Sequence, residues 1–449
     1  MRYIDTEDTI CAIITGGVKS AIAVIRISGN NAISICNKIF SKDISNVKTH
    51  SIHFGTINNK SKIIDEVLVG VFKNSKSFTG EESIEISCHG SIIIQNKIIE
   101  LLIENGCRLA IAGEFSMRAF KNNKLDLSQA EAIADLINAE SEIAHQTALN
   151  QMKGGFSKEL SKLRNELIDF SSLITLELDF SEEDIEFANK EEFKKLIGKI
   201  KPKLQNLIES FKIGNVIQNG IPIVILGSPN VGKSTLLNKL INDDRAIVSD
   251  IPGTTRDSIE ESVNIKGMNF KFIDTAGIRQ TNDKIEKLGI IRSLEKAKQA
   301  SVILYIIDGN EEKQLNEYKR ILRKYNNKVI LVINKCDLSK EINIQETHIK
   351  ISAKYGNGIE KLKNNILSLV NFSNISNLDS IVTNHRHYSE LKSTLNEIIE
   401  IEKSIENNES GDLLSIHINK ALYHLGSITG EISTDDLLGN IFSKFCIGK

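Results

Sequence analysis

Apolar positions recur along this chain at two spacings, and the changes between them mark out the elements. Ile22-Ala23-Val24-Ile25-Arg26-Ile27, closed by Ser28-Gly29-Asn30, and Val67 to Phe72 have the composition of buried strands. Ser83-Ile84-Glu85-Ile86-Ser87 alternates polar and apolar side chains, as a half-buried strand does. Ala32 to Phe40 and the apolar-rich stretch between Gly90 and Gly106 read as helices. From Leu125 the period lengthens. Ala130, Ile133, Ala134 and Ile137, then Leu160, Leu163, Leu167, Phe170 and Ile174, fall on helical stripes, and the same period returns at Tyr388, Leu391, Leu395, Ile398 and Ile405. Between the helical stretches lie short continuous apolar runs at Ile221–Leu226, Val302–Ile307 and Val329–Ile333, the mark of strands buried on both faces. Gly214 and Gly220 are read as flanking a short break before the first of these. The pattern predicts a multidomain α/β and α chain: an N-terminal α+β domain over residues 1–120, a helical domain in two parts over 121–215 and 373–449, and an inserted α/β domain over 216–372 with a parallel-rich sheet and helices on both faces.

Composition narrows the class. A length of 449 residues suggests roughly three domains, with 41% hydrophobic and 25% charged residues and no apolar run near the roughly 20 residues of a membrane span. Met1-Arg2-Tyr3-Ile4-Asp5-Thr6-Glu7-Asp8 carries acids where a signal peptide has its apolar stretch, which points to the cytoplasm. Cys11, Cys36, Cys88, Cys107, Cys336 and Cys446 form no C-x-x-C pair, so neither a zinc site nor a disulfide framework is expected. A formal net charge of −2 gives no global footprint for nucleic acid; RNA binding needs a local patch or a partner.

The strongest chemical signal follows the run Ile221–Leu226. Gly227-Ser228-Pro229-Asn230-Val231-Gly232-Lys233-Ser234-Thr235 has the glycines of a P-loop, whose backbone N–H groups converge on phosphate oxygens at the positive end of the next helix. Lys233 then reaches the β- and γ-phosphates as a catalytic cation, and the Ser234 hydroxyl binds Mg²⁺. Ser249-Asp250-Ile251-Pro252-Gly253-Thr254-Thr255 reads as a switch whose Thr255 completes the Mg²⁺ shell, and Phe270–Ile273 delivers Asp274-Thr275-Ala276-Gly277, with Asp274 near the metal and Gly277 sensing the γ-phosphate. Asn334-Lys335-Cys336-Asp337 selects guanine. A buried Asp337 carboxylate accepts from N1–H and the 2-amino group, a pair that adenine lacks, and Ser352-Ala353-Lys354 supplies the last loop against the base. Five motifs in this order, each after a strand, resemble the translation-factor-related GTPases. Where Ras-like proteins place the glutamine that orients water, this chain has Ile278, so another group must position the nucleophile; Asp283 and Glu286 lie in the same segment.

Three further segments narrow the resemblance: Phe78-Thr79-Gly80-Glu81-Glu82 with His89-Gly90; Gly113-Glu114-Phe115-Ser116 through Asn123-Lys124-Leu125-Asp126-Leu127 to Gln129-Ala130-Glu131-Ala132; and the terminus Phe445-Cys446-Ile447-Gly448-Lys449. Over essentially its whole length the chain resembles the MnmE (TrmE) family of tRNA wobble-uridine modification GTPases. The resemblance implies a homodimer through the N-terminal domain, which binds 5-formyl-tetrahydrofolate as one-carbon donor through Arg26, Glu85, Lys124 and Lys449. It implies GTP hydrolysis stimulated when K⁺ brings two G domains together, with Asn230, Ser249, Ile251 and Thr254 at the K⁺ site and Glu286 acting through water. The implied partner is the flavoprotein MnmG (GidA), in a heterotetramer that carries FAD and NADH on the partner and adds a carboxymethylaminomethyl or aminomethyl group at C5 of the wobble uridine of certain tRNAs.

Two other readings compete with this one. An RNA-binding ribosome-assembly GTPase fits the nucleotide motifs, but it calls for a module such as KH with its G-x-x-G, and none is found. An ATP-dependent kinase is opposed by Asn334-Lys335-Cys336-Asp337.

Overall fold

The computed structural model describes residues 8–73, 76–179, 190–245, 261–273, 297–298, 300–309, 314–325, 328–338, 346–369, 381–407, 409–446 and 448. The chain forms two compact units, Met1–Ala134 with Gln151–Gly198 and Ser393–Lys449 in one, and Asp135–Asn150 with Lys199–Lys392 in the other. Four of the six free cysteines are buried, while Cys336 is half-buried and Cys446 exposed. Burial pushes the Cys36 thiol up to about 12, and burial together with the Asp65 carboxylate pushes Cys88 up to about 11. Among the described residues no helix is long and apolar enough to cross a membrane.

The first unit is built on β1 (Ile10–Ile13), β2 (Ile22–Ser28), α1 (Ala32–Ile39), β3 (Ser51–Asn59), β4 (Lys62–Phe72), β5 (Ser83–His89), α2 (Ile92–Glu104), β6 (Arg108–Leu109) and α3 (Glu114–Lys121). The strands pair in the order β3-β4-β5-β2-β1-β6. All neighbours are antiparallel except β1 and β6. Period-2 alternation divides the sheet cleanly. Ala23, Ile25, Ile27, Val67, Val69, Val71, Ile84 and Ile86 face α1 and α2 and form one core. On the opposite face Ile22, Ile52, Phe54 and Leu68 are 46–72% exposed. β1, β3 and β6 had no clear pattern in the sequence, because β1 and β6 are short and β3 exposes apolar side chains at alternate positions.

Past α3 come α4 (Leu127–Ile137), α5 (Glu142–Met152), α6 (Gly155–Asp179) and α7 (Lys190–Asn219). Leu160, Leu163 and Leu167 on α6 are at most 1% exposed, so the predicted stripe is the buried one. One sequence expectation fails here. The chain is not broken at Gly214: α7 runs through it to Asn219. Glycine is required there by a close approach, since a Cβ would lie 2.1 Å from the Val382 carbonyl oxygen. Gly220, at φ +81°, ends the helix in the left-handed conformation.

The second sheet follows directly. β7 (Ile221–Leu226) leads into α8 (Lys233–Arg245), then β8 (Glu261–Ile265), β9 (Met268–Phe272), β10 (Val302–Asp308), α9 (Gln314–Tyr325), β11 (Val329–Asn334), β12 (His348–Lys350) and α10 (Ile359–Leu369). Its order is β12-β11-β10-β7-β9-β8, parallel throughout except for the β8–β9 hairpin. The continuous apolar runs now have their explanation: Ile223, Ile225, Leu304 and Val332 enter one core, and Val224, Leu226, Ile303 and Leu331 enter another on the opposite face.

The chain closes with α11 (His385–Glu406), α12 (Gly411–Thr429) and α13 (Asp435–Phe442). α12 packs along α6, and Arg164 of α6 pairs with Glu431 just past the end of α12. Thr434 caps α13 by accepting the Leu437 N–H at 3.3 Å. α13 then buries Leu438, Ile441 and Phe442 against Met117 of α3 and Leu127 and Ala130 of α4.

Candidate functional site

The three described nucleotide motifs meet at the C-terminal ends of β7 and β11 and just past β12, where ligands bind in open α/β sheets. Gly227, at φ +148°, lets the P-loop leave β7 close to β10; a Cβ there would sit 2.2 Å from the Ile306 carbonyl oxygen. Gly232, at φ +95°, has the Asn334 amide nitrogen 2.2 Å from where its Cβ would be. Neither position accepts a side chain. Asn230 takes the left-handed conformation at φ +60° and is exposed. Val231 is buried. Lys233 begins α8, and its ammonium donates to the Gly227 and Ser228 carbonyl oxygens, both at 2.8 Å. Ser234 and Thr235 follow in the first turn of α8, half-buried and exposed respectively.

Asn334 ties the motifs together. Only 3% exposed, it donates from Nδ2 to the Val231 carbonyl at 2.8 Å and accepts the Ala353 N–H on Oδ1 at 3.0 Å. One amide therefore holds the P-loop, the end of β11 and the loop after β12 in register, and the cost of leaving it unpaired makes the arrangement specific. Lys335, at φ +63°, pairs with Asp308 Oδ2 at 2.6 Å across the ends of β10 and β11. The Ser352 hydroxyl donates to Asp337 Oδ1 at 2.6 Å, which orients the carboxylate. The sequence reading made Asp337 a buried acceptor, but in the structure it is exposed at the rim. Lys354 is exposed and its ammonium lies 5.2 Å from the centre of the Tyr355 ring. Ser249, Asp250, Ile251, Pro252, Gly253, Thr254, Thr255, Asp274, Thr275, Ala276, Gly277, Ile278, Asp283 and Glu286 lie outside the described residues.

A second constellation lies on the outer face of the first sheet. Arg26 and Glu85 are direct cross-strand partners on β2 and β5. Nε and Nη2 of Arg26 donate to Glu85 Oε1 at 3.0 and 2.8 Å, with side chains 16% and 30% exposed. The guanidinium carbon lies 5.2 Å from the centre of the Phe78 ring and 5.5 Å from that of Phe115, so the pair sits among flat apolar surfaces. Phe78 and Phe115 belong to runs singled out in the sequence, but nothing in the sequence marked them as site residues; only the strand register brings them to Arg26.

Buried polar groups hold this site. Ser28 and Thr79 hydroxyls are 2.6 Å apart, and Ser28 also donates to Glu81 Oε2 at 2.7 Å, fixing the Phe78 loop to β2. Asn122 Nδ2 donates to the Thr79 carbonyl at 2.7 Å. Lys124 follows, with its Cγ 3.3 Å from a Cβ placed on Gly80. Glu114, fully buried at the start of α3, accepts from Arg108 at 2.7 Å and from Arg118 at 3.1 Å, so Phe115 is anchored beside it. Hydrogen bonds donated to Glu114 and then to Asp8 raise Arg108 above the ordinary arginine value. Burial alone would raise the Asp8 carboxyl, but the bonds from Arg108 and Arg118 outweigh it and hold Asp8 below the usual range.

The C-terminal segment comes to the same region. Gly113 N–H donates to the Cys446 carbonyl at 3.3 Å, and a Cβ on Gly448 would lie 2.5 Å from the Ile13 carbonyl oxygen at the end of β1. Ala12, next to Ile13, is the cross-strand partner of Arg26. Lys449 itself lies outside the described residues.

The chain matches the family model for the MnmE helical domain over residues 127–446 and that for the GTP-binding protein TrmE N-terminus over residues 9–124. It is 52% identical over 463 aligned residues to the tRNA modification GTPase MnmE of Flavobacterium johnsoniae, covering 99% of each chain. It is 51% identical to that of Flavobacterium psychrophilum, again over 99% of each. Among solved structures it is similar to the FeoB G-domain from Methanococcus jannaschii, with 26% identity and a TM-score of 0.26, covering 33% of this chain and 97% of that one.

Proposed function

The chain belongs to the MnmE family of tRNA modification GTPases, and from that premise we propose that it couples GTP hydrolysis to one-carbon chemistry at C5 of the wobble uridine, together with the flavoprotein MnmG. The observation that carries the chemical half of this reading is the Arg26–Glu85 pair between Phe78 and Phe115, with Cys446 bonded to Gly113 and Gly448 close to Ile13 at the end of β1. A folate has a flat pterin with adjacent N–H donors and an anionic glutamate tail. Both Arg26 bonds fall on Oε1, so Glu85 Oε2 is the oxygen that pterin N–H groups meet, and the two phenyl rings offer faces for stacking. Lys124 and Lys449 suit the tail carboxylates. 5-Formyl-tetrahydrofolate, when bound, supplies the one-carbon unit; FAD and NADH act on MnmG, in a heterotetramer with this chain.

At the nucleotide site, Lys233 stabilises charge on the β- and γ-phosphates, while Ser234 and Thr255 hold Mg²⁺. Ser234 fits that role, as a half-buried hydroxyl in the first turn of α8 beside Lys233. Asn230 offers an amide oxygen to K⁺ from an exposed position, with Ser249, Ile251 and Thr254 from the following segment. A K⁺ ion held by these groups would supply positive charge of the kind an arginine finger supplies elsewhere. Glu286 positions the attacking water that Ile278 cannot. The exposed apolar side chains Ile22, Ile52, Phe54 and Leu68 on the outer sheet face support dimerisation through the N-terminal region. We place the domain limits at 1–120, 121–215, 216–372 and 373–449, in the cytoplasm.

Mass spectrometry of wobble uridines tests this reading in a strain lacking the gene. The wild-type chain should restore the C5 modification, and a chain lacking Phe445–Lys449 should not, while keeping K⁺-stimulated GTP hydrolysis. Restoration by the truncated chain would remove the tail from the one-carbon site. Unmodified uridine in the presence of the wild-type chain would favour the assembly-factor reading.

A further inference from the structure

The β8–β9 hairpin is strung, in sequence, between Ser249–Thr255 and Asp274–Gly277. Its turn, Lys266-Gly267, has positive φ at both positions, 50° and 82°, which makes a tight two-residue hairpin of fixed register. β9 is pinned to the sheet through its pairing with β7, continued by the Ile273 N–H bond to the Ile223 carbonyl at 2.9 Å. The hairpin is thus joined to both of those segments through the chain while its base is held by the sheet.

What the hairpin touches on its outer side lies far away in sequence. Asn264 and Asn269 are direct partners across the ladder, so their side chains leave the sheet on one face. Both end on Glu140, in the corner between α4 and α5. Asn269 Nδ2 donates to Glu140 Oε2 at 2.7 Å, and Asn264 Nδ2 donates to the Glu140 carbonyl at 3.4 Å. The Gly267 N–H donates to Asn264 Oδ1 at 2.9 Å, which fixes the direction of that amide. At the turn, a Cβ on Gly267 would meet Glu142 Cβ at 3.5 Å. A small cavity lined by Ser141, Ile143, Val216, Ile217 and Met268 lies beside the contact.

We propose that Glu140 is the residue at which the nucleotide state is read out, with the Asn264/Asn269 pair of the hairpin as the transmitting contact and the α4–α5 corner as the receiver. This deepens the GTPase role and rests on the proposed placing of Thr255 and Gly277 at the γ-phosphate. A hydrogen bond from a neutral amide to an exposed carboxylate suits such a joint. It is directional, yet water can replace it when the hairpin moves. Glu140 is a positioning residue: no motif of the nucleotide site includes it.

Hydrogen exchange of the full-length protein, read over residues 135–150 with GDP and with GDP–aluminium fluoride in KCl, tests the proposal beside single-turnover GTP hydrolysis. In the wild type, exchange there should differ between the two nucleotides. Glu140→Ala and Asn269→Ala should shrink that difference by about fivefold while hydrolysis stays within about threefold of wild type. Glu140→Gln, which keeps an oxygen acceptor, should retain the nucleotide dependence. An undiminished response in Asn269→Ala, no response in a wild type that hydrolyses GTP, or loss of the response in Glu140→Gln would each overturn the readout. Absence of hydrolysis in the wild type would instead overturn the GTPase reading beneath it.

Discussion

The nucleotide sheet buries both faces, and its site is assembled at the ends of its strands from backbone groups and short loops. The first sheet buries one face, and its site is assembled from side chains standing on the other, Arg26 opposite Glu85. This difference sets how each site can fail. A loop site depends on glycines and on one buried amide, Asn334, so small steric changes destroy it. A strand-face site depends on charge and ring placement, so it loses function without losing its shape. The same contrast sets what each sheet can do besides chemistry. Among the described residues the nucleotide sheet is covered on both sides, whereas the first sheet leaves Ile22, Ile52, Phe54 and Leu68 exposed on one face.

The largest expected effect sharpens the loop side of the comparison. Glu286→Ala should retain GTP binding and lose roughly 10²–10⁴-fold in single-turnover hydrolysis, the range for a group that positions or activates water. A rate near wild type would return Glu286 to the status of a solvated acid and leave the water without an assigned partner.

Next in size, Asp337→Asn reverses one hydrogen-bonding group against guanine and should weaken GTP by about 2–4 kcal/mol while xanthine nucleotides gain. Competition binding with GTP and XTP checks it. The Ser352 hydroxyl already aims the carboxylate, so Ser352→Ala should weaken GTP by a smaller amount in the same assay.

The local structure around the described motifs was legible in the sequence because each couples a residue type to a fixed neighbour: glycine to a turn, lysine to a helix start, and asparagine and aspartate to the end of an apolar run. The role of Asn334 as a tie between three loops was not legible, since Val231 and Ala353 lie 103 and 19 residues from it in sequence. In the first sheet, Arg26 and Glu85 were named only through family resemblance. Their pairing depends on a register between strands 59 residues apart, and β1, β3 and β6 gave no strand signal. Gly214 misled for a related reason. Local propensity treats glycine as a break, and only the tertiary approach of Val382 shows why a continuous helix needs it. Glu140 illustrates the same limit, because nothing local to the α4–α5 corner announces the two asparagines that meet it.

The smallest expected effect concerns the partly exposed ionic cluster of Asp8, Arg108 and Arg118 behind the strand-face site. Asp8 titrates below its ordinary value of 3.8 in the folded chain, so its contribution to stability is present above that value and is lost as pH falls through the lower, folded one. Asp8→Asn should therefore be less stable than wild type in urea melts near neutrality, and the gap should close on acidification below 3.8. A gap that stays constant with pH would mean that Arg108 and Arg118 gain nothing from the charge on Asp8.

The central claim is that one chain holds two separable sites, hydrolysing GTP at one sheet and supporting one-carbon chemistry at the other. Arg26→Ala measured for both outputs on the same preparation tests it most directly, by K⁺-stimulated GTP turnover and by mass spectrometry of wobble uridines in a complemented deletion strain. The expected result is near-normal turnover with the C5 modification abolished. Full modification by the variant, or a collapse of turnover together with modification, would contradict it.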